Sequence, residues 1–215
     1  MTPDYEYNGK CHIRFFNCDN MDFMKEIPDN YFELCICDPP YGIGISSNPV
    51  RQMHEKKVWD KTIPTDEYFS ELFRVSQNQI IWGGNYFPLP PTQCFIFWYK
   101  QNPVQNFADG ELAWTSFKKP AVCIDYRYYG NIQGNSSVKE EKTHPTQKAI
   151  DLYREVLIRF AKKGDKILDT HGGSMTLARA CYEEGFDLDI MELDKEYFDT
   201  AVQKFKEHVS QYKLF

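Results

Sequence analysis

The sequence of 215 residues lacks the features that mark several large protein classes. No run approaches the ~18 apolar residues of a membrane span, and the stretch from Met1 to Asn8 has no apolar core typical of a signal peptide. The seven cysteines are odd in number and include no Cys-x-x-Cys pair, which disfavours a disulfide scaffold and a zinc site. No Gly-x-x-x-x-Gly-Lys-Ser/Thr loop indicates a triphosphate site. We therefore expect a cytoplasmic protein with no membrane partner and no metal.

The sequence also lacks an excess of positive charge. It holds 25 Lys and Arg against 31 Asp and Glu, for a formal net charge of -6. An acidic total argues against a protein that coats nucleic acid by charge alone, but it does not exclude contact through a local basic patch. The acidic residues lie mostly in residues 1–50 and, to a lesser degree, in 143–215, whereas 51–142 has a slightly positive balance. The middle segment is therefore the part suited to phosphate.

The C-terminal third shows the alternation of helix and strand that is typical of a parallel α/β sheet. Apolar residues at steps of three and four predict amphipathic helices, and short apolar runs between Gly-containing turns predict strands. The predicted elements are a helix opened by His144-Pro145-Thr146, a strand over 166–169, a helix over 176–184 closed by Gly185, a strand ending at Glu192 and a helix capped by Asp194.

A further strand is predicted over residues 33–37 and ends directly at Asp38-Pro39-Pro40-Tyr41. Its consecutive apolar residues fit a central strand buried on both faces, and the two prolines cannot continue a sheet ladder. Open α/β sheets bind ligands at the carboxyl ends of their strands. The stiff corner would fix the Asp38 carboxylate and the Pro39 carbonyl as acceptors for a planar amino group, with the Tyr41 ring as a stacking face. The alternative interpretation is an ordinary Pro-rich turn.

Two weaker patterns accompany this one. Asp169 ends a predicted strand, the turn His171-Gly172-Gly173-Ser174 leads into a helix, and Glu192 closes the next strand. This spacing is typical of nucleotide sites, in which the second acidic residue binds ribose hydroxyls, although any βαβ unit can carry such a turn. In the segment 144–148, His144 is either a general base or, as we favour, part of a helix entrance. Thr146 and Lys148 would face the same crevice.

Together these motifs resemble the beta-class DNA amino-methyltransferases, particularly the small phage-like adenine-N6 methylases. The resemblance runs from about Ile13 to Phe205, and the Asp38–Tyr41 motif precedes the cofactor motif that begins at Leu168, the permuted order of that class. Asn17–Met21 looks like the segment that holds the cofactor's adenine, and Trp82–Phe87 also resembles the phage-type members. The family implies a Rossmann-like class I methyltransferase fold. Its sheet has about seven mostly parallel strands, one antiparallel edge and helices on both faces.

The resemblance also implies a function: transfer of a methyl group from S-adenosylmethionine to the N6 amine of adenine in double-stranded DNA, after the base flips out. Asp38, Pro39, Pro40 and Tyr41 would form the catalytic site. Asp19 and Asn20 would bind the cofactor's adenine, Glu192 its ribose, Asp169 its amino group, and Thr146 and Lys148 its carboxylate, around the turn formed by His171, Gly172, Gly173 and Ser174.

One position departs from the family pattern. The turn usually reads Gly-Ser-Gly, whereas this chain has Gly173-Ser174-Met175. We expect a side chain where the backbone normally approaches the cofactor, so that Met175→Gly should tighten cofactor binding.

We expect one methyltransferase domain over residues 1–215, with a DNA-contacting loop at about 45–62 and a small target-recognition insertion within about 99–142. A homodimer is possible in this class. Cytosine-N4 methylation and a catalytically silent DNA- and cofactor-binding subunit remain open alternatives. The predicted phosphate contacts, each of which has a solvated loop charge as its alternative, are Arg51, Lys56, Lys57, Lys61, Lys118, Lys119 and Arg127.

Overall fold

The structure, a computed structural model, describes residues 1–43, 62–103, 105, 108–129, 132–134 and 147–212. Within these ranges the chain forms eleven strands and five α-helices. Along the chain they are β1 (Tyr5–Asn8), β2 (His12–Phe16), α1 (Asn20–Lys25), β3 (Phe32–Cys37), α2 (Asp66–Val75), β4 (Ser76–Trp82), β5 (Phe95–Tyr99), β6 (Gly110–Thr115), β7 (Val122–Asp125), β8 (Tyr128–Tyr129), β9 (Ile132–Gln133), α3 (Ile150–Phe160), β10 (Lys166–Asp169), α4 (Thr176–Glu184), β11 (Asp187–Met191) and α5 (Lys195–Tyr212).

Nine strands form one sheet in the order β1-β2-β11-β10-β3-β4-β6-β5-β7, and β8 and β9 form a separate ribbon. The strands from β2 to β4 in this order run parallel to one another. β1 is antiparallel at one edge, and β6 is antiparallel between β4 and β5. The mostly parallel sheet is confirmed. The sheet has nine strands instead of the predicted seven, because β1 and β7 extend its two edges. It also differs from the prediction in having an antiparallel strand, β6, inside the sheet as well as one at an edge.

The sheet separates two hydrophobic cores. In β3, Leu34 and Ile36 point into one core, whereas Cys35 and Cys37 point into the other. Helices α3, α4 and α5 pack over the first core, and α1 and α2 over the second. This two-sided burial explains why β3 reads as a continuous apolar run, and it confirms helices on both faces.

The helix boundaries show where local sequence rules hold and where they fail. Thr65 caps α2 through a 3.3 Å hydrogen bond from the Tyr68 amide, and Asp194 caps α5 by accepting hydrogen bonds from the amides of Glu196 and Tyr197. By contrast, α3 begins at Ile150 and not at 144–146. The preceding Ala149 is extended and gives no side-chain cap, because its methyl group cannot accept a hydrogen bond. Lys148, the residue before it, donates to Asp38.

The carboxyl ends of the parallel strands meet along one edge of the sheet, which we call the catalytic edge. Asp38 follows β3, Asp169 ends β10 and Glu192 follows β11. Because β6 runs the opposite way, it contributes its first residues to this edge. Trp82 at the end of β4 pairs with Ala113, so Glu111 lies beyond the end of β4. Among the described residues, no helix combines the length and apolar character needed to cross a membrane.

Candidate active site

The Asp38 carboxylate is held through both of its oxygens. The Tyr41 hydroxyl donates a 2.5 Å hydrogen bond to Oδ1, and the Lys148 ammonium donates to Oδ2. Lys148 Nζ also lies 3.4 Å from the Tyr41 hydroxyl oxygen. The structure therefore places Lys148, which the sequence assigned to the cofactor, on the predicted catalytic carboxylate.

Lys148 is buried between two carboxylates. Its side chain is 3% exposed, and its Nζ lies 3.4 Å from Glu111 Oε2 as well as against Asp38. Burial by itself would lower the pKa of Lys148, but Asp38 and Glu111 outweigh burial and raise it. Burial likewise favours protonation of Glu111, yet Lys148 and Lys100 bring the pKa of Glu111 down to about 2. These groups are therefore charged at neutral pH.

Glu111 and Lys100 were missed by the sequence analysis. Lys100 follows β5 and forms an ion pair with Glu111 Oε1. No local motif singles out either residue. They meet Lys148 only because β6 is inserted between β4 and β5 in the reverse direction.

The Tyr41 ring is positioned by the segment after β4. It lies parallel to Tyr86, with ring centroids 5.0 Å apart and 17° between the planes. Gly83 has φ +68°, and a Cβ there would lie 2.2 Å from Tyr41 Cε1, so only glycine permits this approach. Burial and the neighbouring Asp38 raise the pKa of Tyr41 well above its usual value, which keeps the hydroxyl protonated as a donor.

The two prolines lie beyond the end of the strand, as predicted. β3 ends at Cys37, Pro39 is buried and Pro40 is half-buried. Both peptide bonds are trans, since the described residues contain no cis peptide.

Asp169 is a buried carboxylate without a cationic partner in the described ion pairs. Its Oδ1 accepts a 3.0 Å hydrogen bond from the His171 amide. Burial, with smaller contributions from Asp38 and Glu192, raises the pKa of Asp169 to about 8. Such a carboxyl group is suited to an incoming ammonium, and the predicted cofactor amino group fits this requirement.

The turn after β10 is tied to Glu192. Glu192 Oε2 accepts a 2.8 Å hydrogen bond from the Gly173 amide, and its Oε1 accepts one from the Asp194 amide. The Gly172 amide donates to the Met191 carbonyl at 2.7 Å, and a Cβ on Gly172 would lie 3.0 Å from that oxygen. Ser174 hydrogen-bonds Thr176 across 2.9 Å. The predicted nucleotide turn is thus brought beside the predicted ribose ligand.

The predicted adenine segment reaches the same turn through Asn20. Asn20 Nδ2 lies 3.2 Å from His171 Nε2 and donates to the Thr170 carbonyl. Burial lowers the pKa of His171 to about 4, so its imidazole is neutral. Asp19 is exposed and caps α1 by accepting a 2.7 Å hydrogen bond from the Met21 amide.

Met175 occupies a glycine-like conformation. Its φ is +49°, in the left-handed region that a non-glycine residue rarely adopts. Its side chain is 1% exposed and packs in the core beneath α3, α4 and α5. The side chain therefore lies in the core and does not fill the crevice, contrary to our expectation.

The predicted phosphate contacts divide into three groups. One group lies outside the described residues and comprises Arg51, Lys56, Lys57 and Lys61; the cofactor candidate Thr146 also lies outside them. Lys119 is engaged within the fold, since its Nζ donates to the Arg159 carbonyl at 2.9 Å and lies 3.5 Å from the Phe160 ring centroid. Lys118 and Arg127 are exposed, and Arg127 donates a 3.0 Å hydrogen bond to Gln101.

Comparisons with known proteins identify the family of the chain. The sequence profile of the N6 and N4 DNA methylases matches residues 77–203. The Type II methyltransferase M2.MboI of Moraxella bovis is 24% identical over 98% of this chain and 96% of its own length. M.BglII of Bacillus subtilis is 23% identical over 90% of this chain and 69% of its own length.

Solved structures share the fold. The M1.HpyAVI–SAM complex matches with a TM-score of 0.59 at 22% identity, covering 89% of this chain and 99% of that one. The cytosine-N4-specific PvuII DNA methyltransferase matches with a TM-score of 0.60 at 12% identity, covering 98% of this chain and 94% of that one. The predicted class I methyltransferase fold is confirmed, and the SAM-bound neighbour agrees with the predicted cofactor. With the profile matched over more than half its length, the chain belongs to the DNA methylase family of N6 and N4 amino-methyltransferases.

Proposed function

We propose that this DNA methylase transfers a methyl group from S-adenosylmethionine to the N6 amine of adenine within a short DNA sequence. The observation that carries the proposal is the placement of Asp38. Its carboxylate is fixed by Tyr41 and Lys148 at the catalytic edge, where β10 also places Asp169.

The chemistry asked of these residues is positioning and electrostatics. The exocyclic amine of adenine is a weak nucleophile because its lone pair is shared with the ring. Asp38 and the Pro39 carbonyl would each accept a hydrogen bond from one N–H of the amine. These bonds return electron density to the nitrogen and orient its lone pair towards the methyl group. Pro40 stiffens the corner, and Tyr41 would stack on the flipped base. No strong base is needed, since the amine proton can leave after the methyl group has been transferred.

The cofactor site would be built from the turn after β10. S-adenosylmethionine, when bound, supplies a methyl group activated by a sulfonium. Asp169 would hold its amino group and Glu192 its ribose, with His171, Gly172, Gly173 and Ser174 forming the turn. Asn20 supports that turn through His171, and Asp19 lies at the adenine end as the cap of α1. Thr146 remains a predicted ligand of the cofactor carboxylate, whereas Lys148 acts on Asp38.

Double-stranded DNA would meet the chain along the same edge. The duplex hides the target amine, so the base must flip out. Exposed Lys118 and Arg127, with Arg51, Lys56, Lys57 and Lys61 of the predicted loop at 45–62, would contact phosphate. We retain a single methyltransferase domain with target recognition within 99–142 as part of this proposal, and a homodimer stays a prediction.

The choice of adenine over cytosine rests on Asp at position 38, which favours N6 methylation. The family includes enzymes that act on either amine, so cytosine-N4 methylation is an outcome that the test must distinguish.

The decisive experiment compares DNA from cells that express the wild-type chain, Asp38→Ala and the surface control Asp199→Ala, using a sequencing method that reads modified bases. We expect N6-methyladenine at one short motif in the wild type and the control, and none in Asp38→Ala. Methylated cytosine would select the N4 reaction. The absence of marks together with the absence of S-adenosylmethionine binding by calorimetry would refute the enzymatic proposal, whereas S-adenosylmethionine binding without marks would favour the silent subunit.

A further inference from the structure

Four side chains of alternating charge form a continuous row at the catalytic edge. Lys100 pairs with Glu111, Glu111 with Lys148, and Lys148 with Asp38. They come from four separate parts of the fold: the end of β5, the start of β6, the segment before α3 and the end of β3. We call these four residues the charge row.

The row is largely shielded from water. Lys148 is 3% exposed, and the other three side chains are 17–27% exposed. The Trp82 ring lies 5.1 Å from Lys148 Nζ and the Trp98 ring 4.5 Å from Lys100 Nζ, so aromatic faces border both ammonium groups. A buried lysine with a single carboxylate would bind that carboxylate tightly, because little water competes for it. Glu111 provides a second carboxylate for the same ammonium.

We propose that Glu111 is a positioning residue that acts on Asp38 through Lys148. By sharing the ammonium, Glu111 limits how far Lys148 neutralises Asp38. It thereby keeps the Asp38 carboxylate available to accept a hydrogen bond from the target amine. Lys100 also forms an ion pair with Glu111 and thereby weakens the attraction between Glu111 and Lys148. This inference rests on the proposed function, since it presumes that Asp38 receives an amine.

The proposal follows from the two hydrogen bonds that the Asp38 carboxylate oxygens already accept. Tyr41 occupies Oδ1 and Lys148 occupies Oδ2, so an incoming amine must share an oxygen with one of these donors. An oxygen that carries a fully committed ammonium is a weak acceptor for a neutral amine. Distributing the ammonium between Asp38 and Glu111 weakens this competition without leaving a buried charge unpaired.

The first test is Glu111→Gln, which keeps the side-chain shape and removes the charge. We expect kcat to fall about tenfold, while KM for S-adenosylmethionine stays within about twofold, because no contact joins Glu111 to the proposed cofactor residues within the described part of the chain. Glu111→Asp should recover part of the rate. Glu155→Gln, which removes the carboxylate of a surface ion pair with Arg159, is the matched control and should leave kcat unchanged.

The pH profile separates positioning from a merely structural role. A protonated Lys148 is needed to hold Asp38 in position, so we assign the alkaline limb of kcat to Lys148. Glu111 supports that protonated form, so its removal should move the limb to lower pH. Lys100→Met should move that limb to higher pH, because Glu111 then acts on Lys148 alone. The groups that face Lys148 or act on its carboxylate partners are Asp38 and Tyr41 after β3, Glu111 of β6, Asp169 of β10, Tyr153 of α3 and, through Glu111, Lys100.

A wild-type kcat in Glu111→Gln, or a reduced kcat without a shift of the alkaline limb, would overturn the inference. If Glu111→Gln does not fold, Lys100→Met provides the test. An alkaline limb of kcat that moves to lower pH, or does not move, in Lys100→Met contradicts the proposed role of Glu111. Failure of the proposed function is distinguishable, because active Asp38→Ala refutes that function, whereas inactive Asp38→Ala with fully active Glu111→Gln refutes only the role of Glu111.

Discussion

The phenol rings of Tyr41 and Tyr86 lie parallel, with their centroids 5.0 Å apart. This spacing leaves no room for a base between them, so a flipped base that stacks on this face of Tyr41 must displace Tyr86. Tyr86 is 43% exposed and sits in a short 3-10 helix at Gly84–Tyr86, where it can be displaced without opening a core. Tyr86 would therefore act as a cover over the proposed stacking face of Tyr41.

Replacing this cover should favour DNA binding. A stacked aromatic pair contributes about 0.5–1.5 kcal/mol, so Tyr86→Ala should tighten binding of a duplex with a mismatched target base by about 2- to 10-fold. Fluorescence anisotropy would measure the affinity, and Tyr86→Phe, which keeps the ring, should match the wild type. Weaker binding by Tyr86→Ala would mean that Tyr86 itself holds the base.

Asp169 should destabilise the free protein at neutral pH. In the folded chain its pKa is about 8, whereas the ordinary value is 3.8, so the folded state binds the proton more strongly than the unfolded state. The contribution of Asp169 to the free energy of unfolding therefore falls as pH rises from about 4 to 8. Asp169→Asn removes this loss and should be more stable than the wild type by about 2 kcal/mol at pH 8, with a smaller difference at pH 5.

Urea unfolding at the two pH values measures this effect, and the surface variant Asp199→Asn serves as the control. Asp169→Asn should also lose S-adenosylmethionine binding in calorimetry, because the amide cannot neutralise an ammonium. A variant that is less stable at pH 8 than the wild type would show that Asp169 is already paired in the free protein.

Met175 combines strain with burial, and the two effects can be separated by substitution. Met175→Ala loses the buried side chain and keeps the positive φ, whereas Met175→Gly loses the same packing but relieves about 1 kcal/mol of strain. Both variants should be destabilised by about 2–4 kcal/mol, with glycine the more stable of the two. Thermal unfolding tests this order.

The cofactor affinity of Met175→Gly should stay within about twofold of the wild type, because the Met175 side chain lies in the core. A clear gain in affinity would instead support the expectation drawn from the sequence alone.

Lys118 and Lys119 are neighbours with different expected roles. Lys118 is exposed, so Lys118→Ala should weaken DNA binding and reduce the slope of log K against log salt by about 1. Lys119→Ala should instead cost about 1 kcal/mol of stability, because it loses the hydrogen bond to the Arg159 carbonyl and the contact with Phe160. Equal effects of the two substitutions on the salt slope would contradict this division.

The sequence predicted best those elements whose signals are local. The strand over 166–169 and the helix over 176–184 have the predicted bounds, because apolar runs and a closing Gly185 define them. The N-terminal pair β1 and β2 went unpredicted, since Tyr5–Asn8 alternates exposed polar and half-buried residues and gains its place only by pairing with β2. The predicted start of α3 was wrong: the helix begins at Ile150, and Lys148 just before it makes a long-range contact with Asp38 that local sequence does not encode.

The candidate site divides in the same way. Asp169 ends a parallel strand, and Asp38 and Glu192 directly follow one. Because the carboxyl ends of parallel strands share one edge of the sheet, the sequence predicted that these three residues lie close together. Glu111 could not be found by that rule, because it begins a strand instead of ending one. Its place depends on the strand order β4-β6-β5, which no short stretch of sequence encodes.

The reversed direction of β6 also determines which connection between strands can change in length without disturbing the parallel part of the sheet. Tyr99 at the end of β5 and Gly110 at the start of β6 pair at the catalytic edge, whereas Thr115 at the end of β6 and Val122 at the start of β7 lie at the opposite edge. Lengthening or shortening the β5–β6 connection would reshape the rim of the site and leave the register of every parallel pair untouched. The length of the β5–β6 hairpin can therefore change without moving the parallel strands that position Asp38 and Asp169.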